Sequence, residues 1–245
     1  MQRKIRYGLA VLLVIIAATG IYLISPQRAT IRPGSLIDTI NTGGSPDGIA
    51  ASPDGNFIYV TDASQSGHVW VISTVNNTMV HTIYNVGYPF EISLTPNGKY
   101  AYVSSGNVSI IDLTNETVIK TIKVADGYAT GGVAVLPDGK YVYVGSFGNV
   151  SVISTSNNTV VKVINLTPSL PDMLAFTPNG AYAYVTNPSS NTVAVISTSN
   201  YTVVKTIKVG KTPEGIAITP DGTFAYVANL DSNNVSVIST SNNTD

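Results

Sequence analysis

Three acidic residues recur at one position of a repeated pattern and offer the most chemistry in this chain. Seven residues before the Asp or Asn of each Pro-Asp-Gly or Pro-Asn-Gly word stand Asp47, Phe90, Gly131, Asp172 and Glu214. If the repeats close around an axis, these loops meet at one mouth, and carboxylates far apart in sequence face one another. Hard oxygen ligands of this kind suit Ca²⁺ or Mg²⁺. A metal held by Asp47, Asp172 and Glu214 could serve a hydrolase or lyase by polarising the bond to be broken. The plainer reading is that Asp and Glu favour solvated turns. On that reading the chain has no cofactor.

Other reactive residues are sparse. The two histidines, His68 and His81, have no metal-ligand or H-E-x-x-H spacing. Serines crowd the turns, where they bond the local backbone, and none has an evident base. No catalytic residue is assigned, and the chain is read as a non-enzyme. Trp70 takes the place held by Ser109, Ser151, Ala194 and Ser236 in the other repeats. It is either an aromatic platform for a partner or a filler of irregular packing. Phe90, the aromatic among the acidic positions, is the second candidate partner contact. Asn-x-Ser/Thr acceptors stand at Asn76, Asn107, Asn115, Asn149, Asn157, Asn165, Asn200, Asn234 and Asn242. They mark a glycoprotein if the chain is exported, although Asn also suits these turns.

Composition limits the remaining classes. Thirteen basic against 14 acidic residues leave a formal charge of −1, which gives no electrostatic hold on nucleic acid. Only 11% of residues are charged while 44% are apolar, so the chain is globular rather than charge-rich and disordered. Without cysteine there is no disulfide, no thiol nucleophile and no thioether-attached haem.

The elements that must position these residues are written five times. The turn word recurs at Pro53, Pro96, Pro137, Pro178 and Pro220, every 41 to 43 residues. Four residues after each turn glycine comes Tyr59, Tyr102, Tyr143, Tyr184 or Tyr226, opening words such as Tyr-Val-Thr-Asp and Tyr-Val-Thr-Asn. A third word of the Val-Ser-Val-Ile type and a fourth of the Thr-Val-Val-Lys-Thr-Ile type follow. These short runs, rich in β-branched residues and separated by turn residues, predict four antiparallel strands per unit. Four strands every 40-odd residues describe a propeller blade. The fold class is therefore all-β: a β-propeller of five four-stranded blades.

These words resemble the YVTN-type β-propeller repeat of archaeal surface-layer and other cell-surface proteins, from about Ser45 to the end. The resemblance implies an extracellular structural or binding module toward a protein or glycan of the cell envelope. Propellers of that family commonly have more blades, often seven.

Two expectations concern the ends. Arg3, Lys4 and Arg6 precede an uncharged apolar run from Gly8 to Ile24. Residues 1–29 therefore read as a signal peptide or an uncleaved membrane-anchoring helix, with 30–245, the propeller, on the outer face. The fifth unit lacks its fourth strand, and Ser35–Gly43 aligns without a gap to Thr202–Gly210. That segment is expected to complete the last blade and close the ring.

Overall fold

The computed structural model describes residues 14–17, 20–23, 34–64, 67–124, 131–167 and 171–242. Five antiparallel sheets follow one another along residues 46–239, each with its strands in sequence order. They are the blades of an all-β propeller. The first four have four strands, and the fifth has the three strands Pro213–Ile218, Phe224–Asn229 and Asn234–Ser239. The turn between first and second strands works as its composition predicts. All five turn glycines, from Gly55 to Gly222, have φ between 68° and 76°, a region only glycine enters without steric cost.

The core lies in the middle strands, because a blade is covered on both faces by its neighbours. In blade 4 the second strand, Tyr182–Asn187, and the third, Thr192–Ser197, are buried almost throughout, whereas the outer strand, Thr202–Lys208, is largely exposed. Each letter of the second-strand word has its own task. Tyr184 packs with Val193 and Val195 against the next blade's Ala225, Val227 and Ile238, while Val185 faces the preceding blade beside Tyr143. Thr186 bonds the inner strand, its Oγ1 accepting from the Met173 amide at 3.0 Å. Asn229, at the last letter in blade 5, donates to Asn234 Oδ1 and Ser236 Oγ across the following hairpin.

The inner strands approach one another too closely for side chains at some points. The Gly48 amide donates to the Phe90 carbonyl of the next blade at 3.1 Å, and the Gly132 amide to the Asp172 carbonyl at 2.6 Å. A Cβ on Gly48 would overlap the Phe90 carbonyl oxygen and lie 2.8 Å from Glu91 Cα. Glycine stands where backbone meets backbone.

Neither expectation for the ends is confirmed by the described residues. In place of one apolar helix, the described part of the leading run consists of two short strands, Val14–Ala17 and Gly20–Leu23, paired antiparallel. The rest of segment 1–29, and with it the signal-peptide or anchor reading, lies outside the described residues. Among those described, no helix is long and apolar enough to cross a membrane. Among the described residues Ser35–Gly43 forms no strand and the last sheet has three strands. Ile40 packs instead against Val60, Trp70 and Ile72 of blade 1.

Candidate functional site: the acidic mouth

The inner strands of blades 1 and 5 place their carboxylates by stepping out of register. Pro46 pairs with Asp62 and Ile49 with Val60, so the first strand of blade 1, Pro46–Ala51, carries one extra residue and Asp47 and Gly48 leave the ladder. Blade 5 repeats this: Pro213 pairs with Asn229 and Ile216 with Val227, which puts Glu214 in the bulge. Such bulges redirect side chains without ending the strand.

A hydroxyl from the second strand fixes the backbone at three of these points. Thr61 Oγ1 accepts from the Gly48 amide at 2.8 Å and donates to the Phe90 carbonyl. Ser104 Oγ accepts from the Glu91 amide at 3.1 Å, and Thr186 Oγ1 holds Met173, next to Asp172, in the same way. The Thr or Ser at this place in the second-strand word thus holds the backbone beside Asp47, Glu91 and Asp172, whereas blade 5, with Ala228 there, has no such clamp for Glu214.

Four carboxylates share one field. Asp47 and Glu214 are exposed, while Glu91 and Asp172 are half-buried. Burial raises the Glu91 carboxyl above its ordinary range, and the charges of Asp47 and, more weakly, Asp172 raise it further. Asp172 is raised by burial, then by Glu214 and Asp47. Expected carboxylates from blades 1, 4 and 5 are therefore brought into mutual influence, as like charges that disfavour ionisation. Glu91 is the addition that repeat counting missed: it lies one position past Phe90, where the other units carry no acid. Its signal is the clamp position Ser104, aligned with Thr61 and Thr186.

Asp47, Asp172 and Glu214, the expected Ca²⁺ set, influence one another across blades 1, 4 and 5. Among the described residues, no three His, Cys, Asp or Glu side chains gather closely enough to hold a metal ion. The carboxylates feel one another's charge without converging on a common point. Trp70, expected as a partner contact or as packing, is 3% exposed and packs with Val60 and Ile72. Phe90 is half-buried and contributes its carbonyl to the Gly48 and Thr61 contacts.

A second polar group lies in blade 1. Buried Asp62 accepts from the Ser45 and Ser64 amides, each at 3.0 Å, and from Ser64 Oγ at 2.6 Å, and lies 3.1 Å from His68 Nε2. Burial works to raise its pKa, but those hydrogen bonds and His68 hold it below the usual range. Serine and histidine both address the carboxylate, so the imidazole does not stand between acid and hydroxyl as a nucleophilic triad requires. His68 meets Trp70 edge-on at 4.9 Å, and its buried Nδ1 has no partner among the described residues.

The Asn-x-Ser/Thr triplets divide by fold. Those at Asn76, Asn115, Asn157 and Asn200 occupy the exposed turns between third and outer strands, and those at Asn165 and Asn234 are also exposed at the asparagine. At Asn107 and Asn149 the asparagine is half-buried and the serine, Ser109 or Ser151, is buried in the third strand. The side chain of Asn242 lies outside the described residues.

Comparison with known proteins supports the propeller. The family model for a lactonase-type seven-bladed β-propeller matches residues 173–245, and that for the cytochrome D1 haem domain matches residues 53–173. Neither reaches half of the chain. Among solved structures, hydrazine synthase of Kuenenia stuttgartiensis has a TM-score of 0.73 at 25% identity, over 84% of this chain and 74% of that one. A β-propeller domain of Myceliophteria thermophila has a TM-score of 0.67 at 12% identity, over 79% of this chain and 65% of that one. No curated protein matches the chain. Haem, named by the second family model, does not fit the histidines: His68 Nε2 is held by Asp62, and His81 stands 3.5 Å from Glu116 on an outer strand.

Proposed function

We propose that the protein is a non-enzymatic, YVTN-type cell-surface propeller that binds a protein or glycan of the cell envelope at its acidic mouth. The basic and apolar leading segment exports it to the outer face of the membrane, where it is retained or released. The observation that carries this reading is the shared field of Asp47, Glu91, Asp172 and Glu214, with bulges at Asp47 and Glu214 and hydroxyl clamps beside Asp47, Glu91 and Asp172. A rigid rim of like charge selects cationic groups, such as a Lys- or Arg-bearing loop or an amino sugar, and gives salt-sensitive association. Exposed triplets at Asn76, Asn115, Asn157 and Asn200 accord with an exported chain that carries glycans on its outer turns.

The test is capture of envelope components by the full chain, compared with a variant carrying Asp47→Asn, Asp172→Asn and Glu214→Gln. The reading expects the same components to be lost by the variant and by wild type at high salt. Equal retention by both proteins at all salt concentrations overturns it.

A second reading is a propeller hydrolase, favoured by the lactonase-type match and by the raised carboxyls of Glu91 and Asp172, which suit proton donation. Lactone hydrolysis by the purified chain, abolished by Asp172→Asn, would place this reading first.

A further inference from the structure

The turns between first and second strands all hang on one side-chain oxygen. In blade 2 Asn97 Oδ1 accepts from Thr95 Oγ1 at 2.7 Å and from the Lys99 amide at 3.0 Å, while the Gly98 amide donates to the Thr95 carbonyl at 2.8 Å. Blade 4 repeats each bond: Asn179 Oδ1 accepts from Thr177 Oγ1 at 2.8 Å and from the Ala181 amide at 3.0 Å, and the Gly180 amide donates to the Thr177 carbonyl at 2.7 Å. In blades 1 and 5 an aspartate makes the same contacts. Asp54 Oδ1 accepts from Ser52 Oγ and the Asn56 amide, and Asp221 Oδ1 from Thr219 Oγ1 and the Thr223 amide. Blade 3 has Leu136 in place of the hydroxyl, and there the turn residue is again an aspartate, Asp138, which accepts from the Lys140 amide. Asparagine thus stands only where a threonine hydroxyl ties it. The turn uses its oxygen and not its nitrogen: in neither Asn97 nor Asn179 does Nδ2 donate to a described residue.

Asn97-Gly98 and Asn179-Gly180 are the two Asn-Gly pairs of the chain. Such a pair is prone to lose its side-chain amide, because glycine puts no side chain beside its own nitrogen. That nitrogen attacks Asn Cγ; the N–Cγ bond forms, the Cγ–Nδ2 bond breaks, and ammonia leaves with the glycine N–H proton. Water then opens the cyclic imide at either carbonyl, to aspartate or to isoaspartate. Both asparagines are exposed, so water reaches them. In the folded turn, however, the glycine nitrogen keeps its proton in the bond to the threonine carbonyl, and Oδ1 is held from two sides. Ring closure must swing the glycine amide toward Cγ, which breaks these bonds together.

We propose that Asn97 and Asn179 are latent deamidation sites: the bonds from Thr95 and Thr177 block conversion while the hairpin is closed, and the aspartate product is accepted by the same turn. Reaction therefore passes through local opening of the hairpin. An aspartate there takes up the contacts that Asp54 and Asp221 already make. In those two blades the hydroxyl of Ser52 or Thr219, then the backbone amide two residues on, holds the carboxyl below its ordinary range. A carboxylate is the stronger acceptor in this place. Isoaspartate lengthens the backbone by one carbon and cannot keep the turn. The two sites convert an opening of blade 2 or blade 4 into a lasting negative charge. This proposal is independent of the acidic mouth.

The test incubates the full chain in mildly alkaline buffer, folded or unfolded in guanidinium, and follows amide-to-acid conversion in its peptides by mass spectrometry. The folded chain is expected to lose both amides at least about tenfold more slowly. Thr95→Val, which keeps the shape and removes the hydroxyl, should speed conversion at Asn97 and leave Asn179 unchanged; Thr177→Val should do the reverse. A chain with Asn97→Asp and Asn179→Asp should melt at or above the wild-type temperature at neutral pH. Equal rates in the folded and unfolded chains overturn the proposal. So do threonine variants that speed both sites alike or neither, and an aspartate chain that melts lower than wild type. The guanidinium and aspartate arms decide the matter where a threonine variant fails to fold.

Discussion

Tyr102 donates a 2.7 Å hydrogen bond to Asn158 Oδ1, joining the second strand of blade 2 to the outermost turn of blade 3. The phenol is fully buried, and burial, with Tyr100 contributing, pushes its pKa up to about 12. One repeat later Tyr143 is equally buried, but its hydroxyl has no partner among the described residues. Tyr102→Phe is expected to cost about 1 kcal/mol, while Tyr143→Phe, which removes an unsatisfied buried hydroxyl, is neutral or stabilising. Urea unfolding of the two variants checks the difference in sign.

The acidic mouth works against stability at neutral pH. Glu91 and Asp172 have raised folded-state pKa values, so the folded chain holds more protons than the unfolded chain between the two pKa values. Stability from these groups therefore falls as pH rises from the ordinary carboxyl range through the folded values, then stays low. Glu91→Gln and Asp172→Asn should raise the melting temperature at pH 7 and flatten its decline from mildly acidic to neutral pH. A lower melting temperature for both variants at pH 7 would contradict the shared field.

The hydroxyl clamp should be separable from the close approach of the backbones. Thr61→Val keeps the shape but loses the contacts to Gly48 and Phe90, and is expected to cost about 1–2 kcal/mol. Gly48→Ala forces blades 1 and 2 apart, because its new Cβ meets backbone rather than a movable side chain. That should cost more than about 2 kcal/mol. Thermal unfolding with Gly48→Ala no worse than Thr61→Val would refute this order.

Glu116 has φ of 52° in the turn of blade 2 where Asn77 and Asn158, at 56° and 55°, hold the same place in blades 1 and 3. A left-handed backbone is tolerated better by Asn than by Glu. The ion pair of Glu116 with His81 at 3.5 Å is partly solvated and contributes little. Glu116→Asn is therefore expected to stabilise the chain by about 0.5–1 kcal/mol, read as a higher denaturant midpoint.

Since no metal-ligand group gathers among the described residues, added Ca²⁺ should leave the melting temperature of wild type unchanged. A concentration-dependent rise that Asp172→Asn removes would restore a metal role for the mouth.

The sequence by itself determined the blades: the spacing of the Pro-Asp-Gly and Pro-Asn-Gly turns, the tyrosines after them and the β-branched runs are local signals. Each acts within one hairpin, so five copies in register fix five sheets. It also pointed to Asp47, Asp172 and Glu214, because a repeat places equivalent residues at equivalent points around an axis. Only the tertiary structure decided that Glu91 joins them, that a hydroxyl from the second strand clamps three of the loops, and that Trp70 lies buried under Ile40. The same holds for Ser35–Gly43, which aligns with Thr202–Gly210 without a gap, sharing Thr39, Ile40 and Gly43 with Thr206, Ile207 and Gly210, and yet forms no strand. These outcomes depend on which blade faces which, and on one-residue bulges that turn a side chain. Both arise from the packing of whole sheets rather than from the pattern within any one strand.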